Sequence, residues 1–326
     1  VNMLEERRAE ILRALVEEHI RTGEPVSSRA ILEATALGVS GATVRNELSW
    51  LEQEGYAVQP HTSAGRVPTA RAFRYYVDHL TPQRIRVSTK NRVSDFFSTV
   101  HLELGRLLKA TTELLSDITR LPAVVVSPAG TEDRVKALHL VQVGAQTVMV
   151  VVVSEWGRVT QEICRLSSPV TPRRVEEAEM LLRSLVVGSD ADTTLATVDH
   201  QPDDLIDAAS EALHRSWEFG AEVFVGGTRQ MATVWEDLSA VQRVLEVLER
   251  EAMLLNILAT APGTNIQLGS ELPMAGDLDM AVVSTSFGTG HAAGRLGVIG
   301  PMRMDYAQTV SAVEMVGREL SDNIGS

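Results

Sequence analysis

Leu4, Ile11, Leu12, Leu15 and Ile20 recur on one face with Glu and Arg between them, a spacing that predicts a helix over Leu4–Ile20. Thr22-Gly23, followed by Pro25, stops it. Ser27 is placed to cap a short second helix running to about Thr35, and Ser40 to cap a third that ends at Gly55. In the third helix Val44, Leu48 and Leu51 form a buried stripe at i, i+4 and i+7. Ala42, Asn46, Ser49 and Gln53 lie opposite, with Thr43 and Arg45 on the flanks, so the outward face near the start is small and polar. Tyr56–Gln59 reads as a strand, His61–Arg66 as a loop and Val67-Pro68 as the return. Thr69 can then cap a helix carrying Arg71, Phe73, Arg74, Tyr75 and Tyr76, whose aromatic rings are expected to pack the helix rather than stack on bases.

Thr81–Lys90 breaks the pattern and reads as a linker. Helical periodicity returns over Arg92–Arg120. Past Leu121 the chain becomes β-rich: Ala123–Ser127, Val135–Val143, Thr147–Ser154 and Val159–Leu166. Helices are expected over Pro169–Val187, Asp203–Phe219 and Asp237–Leu258, with a short strand at Glu222–Val225. Strands return at Ile266–Leu268, Met280–Ser286 and Leu296–Ile299, and a last helix covers Asp305–Leu320. Short helix, turn, polar-faced helix and hairpin are the order of a winged helix-turn-helix, expected over residues 1–80, with a linker at 81–90. Strands interrupted by a block of helices predict one α/β domain, 91–166 and 237–326, with an insertion at 167–236.

Charge sharpens this division. The net charge is −13, yet residues 1–86 hold eleven arginines and eleven acids and sum to zero, so the acid lies in 87–326. Residues 61–86 carry five arginines against Asp78 alone. Such a local excess suits phosphate contact. On the third helix, Ser40, Ala42, Thr43, Arg45, Asn46 and Ser49 suit entry into a major groove, where Asn pairs with adenine and Arg with guanine. His61, Thr62, Ser63, Arg66 and Arg71 are the candidate phosphate and minor-groove contacts, with Arg66 expected at the loop tip and Gly65 permitting the tight turn.

Catalytic signatures are missing. Gly288–Ala293 fits G-x-G-x-x-A after a strand, but Arg295–Ile299 reads as another strand, so a hairpin is expected and not a dinucleotide site. The eight histidines are scattered and there is one cysteine, Cys164, expected in the core. No metal, cofactor or enzyme activity is expected. With no apolar run long enough to span a membrane and no secretory start, a cytoplasmic protein is expected.

Three stretches carry a resemblance. SGATVRNELSWLEQEGY with QPHTSAGRVPT and RYYVD, then FVGGT at Phe224–Thr228, then GRLGVIGPMRMDYAQTVSAVE resemble, in order, segments of the HrcA family of heat-inducible transcription repressors. Gly41, Leu48 and Met302 stand where that family more often has Ser, Met and Thr. The resemblance implies an α+β multidomain chain: a winged helix-turn-helix, a GAF-like α/β domain and an inserted α/β dimerisation domain. It also implies a homodimer on double-stranded DNA at an inverted repeat of the CIRCE type, upstream of chaperone operons, with activity maintained by the GroEL chaperonin. The alternatives are a small-molecule-responsive regulator with its ligand in the GAF-like domain, and a heat sensor whose marginal folding is the signal.

Overall fold

The computed structural model describes residues 4–35, 38–61, 64–81, 84–100, 103–128, 134–155, 157–189, 203–217, 222–235, 237–258, 263–272, 279–288 and 293–324. It is a mixed α+β chain. The first part contains α1 (Glu6–Thr22), α2 (Ser28–Ala34), α3 (Gly41–Gln53), β1 (Ala57–Val58), β2 (Val67–Pro68) and α4 (Ala70–Asp78). Each of three hydroxyl caps forms where the sequence places it. Ser27 Oγ accepts from the Ala30 amide at 3.1 Å, Ser40 Oγ from Thr43 at 3.2 Å, and Thr69 Oγ1 from Ala72 at 3.4 Å. These bonds satisfy amides that have no partner within the helix. Val44 and Leu51 are fully buried with Ile11, Leu12, Leu15 and Ile31, so the predicted stripe of α3 faces the core between α1 and α2.

The linker is shorter than expected, because α5 (Val87–Thr99) already begins inside it and buries Val93 and Phe97. The single helical run expected to Arg120 breaks at Val100, and α6 (Leu104–Thr119) starts afresh, capped by Glu103 Oε1 on the Arg106 amide at 3.1 Å.

The body holds β3 (Ala123–Val126), β4 (Val135–Gly144), β5 (Thr147–Ser154), β6 (Val159–Arg165), α7 (Pro172–Val186), α8 (Asp204–Trp217), β7 (Val223–Gly226), α9 (Met231–Val234), α10 (Leu238–Glu249), α11 (Glu251–Leu258), β8 (Asn265–Leu268), β9 (Ala281–Phe287), β10 (Gly294–Gly300) and α12 (Tyr306–Ile324). The helix expected over Asp237–Leu258 is thus two, meeting at Arg250. A five-stranded antiparallel sheet runs in the order β7-β3-β10-β9-β8. Both of its faces are covered. Ala123 and Val125 of β3 join a core with α5, α6 and α12, whereas Val124 and Val126 join one with α10 and α11. Two buried faces explain why β3 reads as an unbroken apolar run. β9 and β10 are antiparallel neighbours with Phe287 opposite Gly294, as the expected hairpin requires, while residues 289–292 of the glycine-rich run lie outside the described residues.

The grouping of the other strands differs from the expectation of one domain over 91–166 and 237–326. β4, β5 and β6 form their own three-stranded sheet in that order and, among the described residues, pair with no strand of the larger one. Leu138, Leu140, Val148, Val150, Val152 and Cys164 face α7 and α8 in a core of their own. The apolar alternation of these strands is satisfied by the helices that follow them, not by the strand before. The separate unit therefore begins at β4 and not near residue 167. β7, expected inside the insertion, is an edge strand of the larger sheet.

The first part is not a bead on a tether. Phe73 and Tyr76 of α4 lie 6.3 and 6.4 Å, centroid to centroid, from the buried ring of Tyr306 in α12. Arg74 Nη1 donates to Glu271 Oε2 at 2.7 Å and to the Ile266 carbonyl at 3.0 Å. One hydrophobic cluster consequently runs from Ile11 to Leu320. The expected packing role of the α4 aromatics holds: Phe73 and Tyr76 are buried in the core, and Tyr75 packs against it while stacking on His79 at 4.2 Å.

Candidate nucleic-acid interface

Ala42, Arg45, Asn46 and Ser49 line the exposed side of α3. The side chains of Arg45 and Asn46 make no hydrogen bond or ion pair among the described residues, so both are available to a ligand. Ser40 and Thr43 are less so. Their hydroxyls lie 3.0 Å apart and Ser40 also caps the helix. Ser49 Oγ donates back to the Arg45 carbonyl at 3.0 Å, leaving it only as an acceptor.

The hairpin that follows is anchored differently from the sequence expectation. Thr62 and Ser63 lie outside the described residues, and His61 is exposed. Arg66 is not at an exposed tip. Its backbone exchanges two 2.8 Å hydrogen bonds with Val26, and its guanidinium pairs with Glu52 Oε2 of α3 at 2.9 Å, with the side chain only 16% exposed. Arg66 thus ties the base of the loop to α3 and to the turn before α2. Gly65 is required for this by proximity. A Cβ there would lie 2.3 Å from the Val26 carbonyl oxygen. Gln59 Nε2 clamps the far side on the Ala64 carbonyl at 3.0 Å. Arg71 is exposed but engaged, lying 4.3 Å over the Tyr56 ring and donating to the Glu54 carbonyl at the end of α3.

Sequence reasoning missed Glu47. It lies beside Leu48 on the buried side of α3, only 7% exposed. Arg7 Nη2 and Arg8 Nε of α1 reach its two carboxylate oxygens at 2.6 and 2.8 Å, and Arg8 also sits 4.2 Å over Trp50. An acid next to an apolar stripe was the available signal. Burial would push the Glu47 carboxyl up, but the hydrogen bonds from Arg8 and Arg7 outweigh it and hold the carboxyl below its ordinary range. A carboxyl lowered on folding contributes stability above its unfolded pKa and loses it as pH falls through the folded value. Glu47→Gln is expected to cost about 2 kcal/mol at pH 7. The gap should shrink as acidification below about pH 4.3 protonates the parent carboxylate. Urea unfolding at pH 7 and pH 3 measures it; an undiminished gap at pH 3 would count against the charge-assisted pair.

Residues 105–310, more than half of the chain, match the family described as HrcA protein C terminal domain. The chain belongs to the HrcA family. The heat-inducible transcription repressor HrcA of Nocardioides sp. is 37% identical, over 98% of this chain and 98% of its own length. That of Acidothermus cellulolyticus is also 37% identical, over 98% of this chain and all of its own. A crystal structure of a hypothetical protein shares the fold, with a TM-score of 0.70 at 21% identity over 99% of each chain. HrcA proteins are transcription repressors, not enzymes. Among the described residues no helix is long and apolar enough to cross a membrane, and no three His, Cys, Asp or Glu gather as a metal site would require. The two later HrcA-like segments are packing junctions. FVGGT holds the end of β7 against α6, and GPMRMDY supplies Tyr306, whose hydroxyl donates to the Met302 carbonyl at 2.6 Å.

Proposed function

We propose that the chain is a cytoplasmic, heat-inducible repressor that grips double-stranded DNA with a winged helix-turn-helix over residues 1–80. α3 enters the major groove, and the loop at 61–66 grips the flanking backbone. The observation that carries this is the outward row Ala42, Arg45, Asn46 and Ser49, with two engaged-by-nothing polar side chains on a helix whose other side is locked into a core. Small neighbours let Arg45 and Asn46 approach base edges. Arg66 and Arg71 act mainly by holding the loop and α3 in register, and reach phosphate only if Glu52 or the Glu54 carbonyl releases them. The DNA target is an inverted repeat of the CIRCE type before chaperone operons, read by a homodimer whose half-sites are spaced in steps of about 34 Å. GroEL maintains the active form.

Asn46→Ala is expected to flatten the preference for a matched over a scrambled repeat by about 1–3 kcal/mol while keeping most of the non-specific affinity. Gel-shift titrations on both sequences test it. Equal loss on the two would remove Asn46 from base reading, and no preference in the parent would remove the repressor reading.

The body supports a GAF-like domain built on the five-stranded sheet, with an inserted dimerisation unit running from β4 to α8. One face of the three-stranded sheet is covered by α7 and α8. The other carries Val141, Met149 and Ile163 in register across its three strands, with Ile163 61% exposed. Two copies of the chain closing these faces on each other would bury them. Ile163→Arg should convert a dimer into a monomer in sedimentation and lower operator affinity with it; an unchanged mass would place the two-fold elsewhere.

A further inference from the structure

A cavity of about 480 Å³ opens where the first turn of α5, the end of α6 and the start of α12 meet. Its polar rim carries Arg86, Arg120 and Arg303 against one acid, Asp305. Asp305 is already engaged, since its Oδ1 caps α12 on the Gln308 amide at 3.1 Å. Two of these guanidinium groups, Arg120 and Arg303, come from the part of the chain after residue 86, which carries all of the net −13. Neither the Arg86 nor the Arg120 side chain makes a hydrogen bond or ion pair among the described residues, although Asp117 lies one turn before Arg120.

Two backbone features point the same way. Arg120 is the one non-glycine residue with positive φ among the described residues, at 60° as the C-cap of α6. Glycine is the ordinary occupant of that position, because a side chain there is disfavoured. The arginine that stands there despite that cost lines the cleft. Arg86 is the N-cap of α5, which has no side-chain cap, so the amides of its first turn are open to an anion beside Thr89. The floor is apolar, formed by Ile118, Leu121 and Val234.

We propose that this cleft binds a small phosphate-bearing ligand of mononucleotide size. The phosphates are held by Arg86, Arg120 and Arg303, and the ring lies on the apolar floor. The volume suits such a ligand, and fork-shaped guanidinium groups match phosphate oxygens in pairs. Occupation would be felt by the DNA-binding part. Arg86 belongs to the segment that leaves it, and Arg303 Nη1 lies 3.3 Å from where a Cβ on Gly23, at the end of α1, would stand. That coupling rests on the repressor reading; the site itself does not.

Calorimetric titration of the full chain with ATP and with inorganic tripolyphosphate, in magnesium-free buffer, tests the site without DNA. Saturable binding of ATP is expected in the micromolar range, with tripolyphosphate at least tenfold weaker because it has no ring for the floor. Arg86→Ala and Arg120→Gly should each weaken ATP at least tenfold. Arg120→Gly suits the backbone conformation, so its loss of binding could not be blamed on misfolding. Absent binding at millimolar ATP, affinity unchanged in both variants, or tripolyphosphate equal to ATP would each overturn the proposal. A gel shift with and without ATP then reads the coupling separately, so its failure and failure of the site are distinguishable.

Discussion

Gly227→Ala is expected to be among the most damaging single-methyl changes in the chain, lowering stability by at least about 3 kcal/mol. The residue sits at φ 72°, and a Cβ there would overlap Ser116 Oγ at 1.6 Å and Ser116 Cβ at 2.5 Å. Ser116 is buried on α6, so neither partner can swing into solvent. Rotating the Ser116 hydroxyl relieves the first contact but not the second, so the end of β7 and α6 must move apart where both are packed. Thermal unfolding by circular dichroism checks this. A midpoint within a degree of the parent would show that the end of β7 yields freely. Ser116→Gly combined with Gly227→Ala should recover part of the loss by removing the overlap, though not the backbone cost.

Gly65→Ala is the second large effect, and it is read on DNA. The added carbon meets the Val26 carbonyl oxygen at 2.3 Å, the Val26 carbonyl carbon at 2.4 Å and the Pro25 oxygen at 2.8 Å, all backbone atoms that cannot rotate away. The two hydrogen bonds between Val26 and Arg66 should break, and with them the position of Arg66 against Glu52. Operator affinity is expected to fall at least tenfold, about 1.4 kcal/mol or more, while the body keeps its melting midpoint. Fluorescence anisotropy on an inverted-repeat duplex measures the first and calorimetry the second. Parental affinity in this variant would show that the loop has no part in gripping the operator. A milder companion is Glu52→Gln, which frees Arg66 without moving the backbone.

Local elements were readable because each rests on nearby residues. Ser27, Ser40 and Thr69 announce helix starts by the chemistry of their hydroxyls, and Val44, Leu48 and Leu51 announce a buried side by spacing alone. The pairing of strands was not readable in the same way. Val124 and Val150 both sit in apolar β runs, and nothing within either run says that the first faces β7 and β10 while the second faces β4 and β6. The outward row of α3 was legible down to single residues. Arg66 was not, because its partner Glu52 lies on another element and Val26 on a third. Loop position suggested reach toward DNA, whereas the contacts hold the side chain inward. Glu47 and its two arginines were hidden for the same reason: the ion pair spans 40 residues.

The two ends of the smaller unit meet. The Ser127 amide donates to the Glu222 carbonyl at 2.8 Å, and the Glu222 amide returns to Ser127 Oγ at 2.8 Å across a separation of 95 residues. To the larger sheet, everything between them is equivalent to a hairpin turn. Joining β3 to β7 through a disordered loop of that length would cost about 3 kcal/mol more in closure entropy than a tight turn. If the smaller unit collapses first on its own core, its ends arrive side by side and that penalty is already met. A folded guest that shares none of the host's strands thus serves the main sheet as a turn would, and exchanging it for another guest with adjacent ends would leave the strand order β7-β3-β10-β9-β8 unchanged.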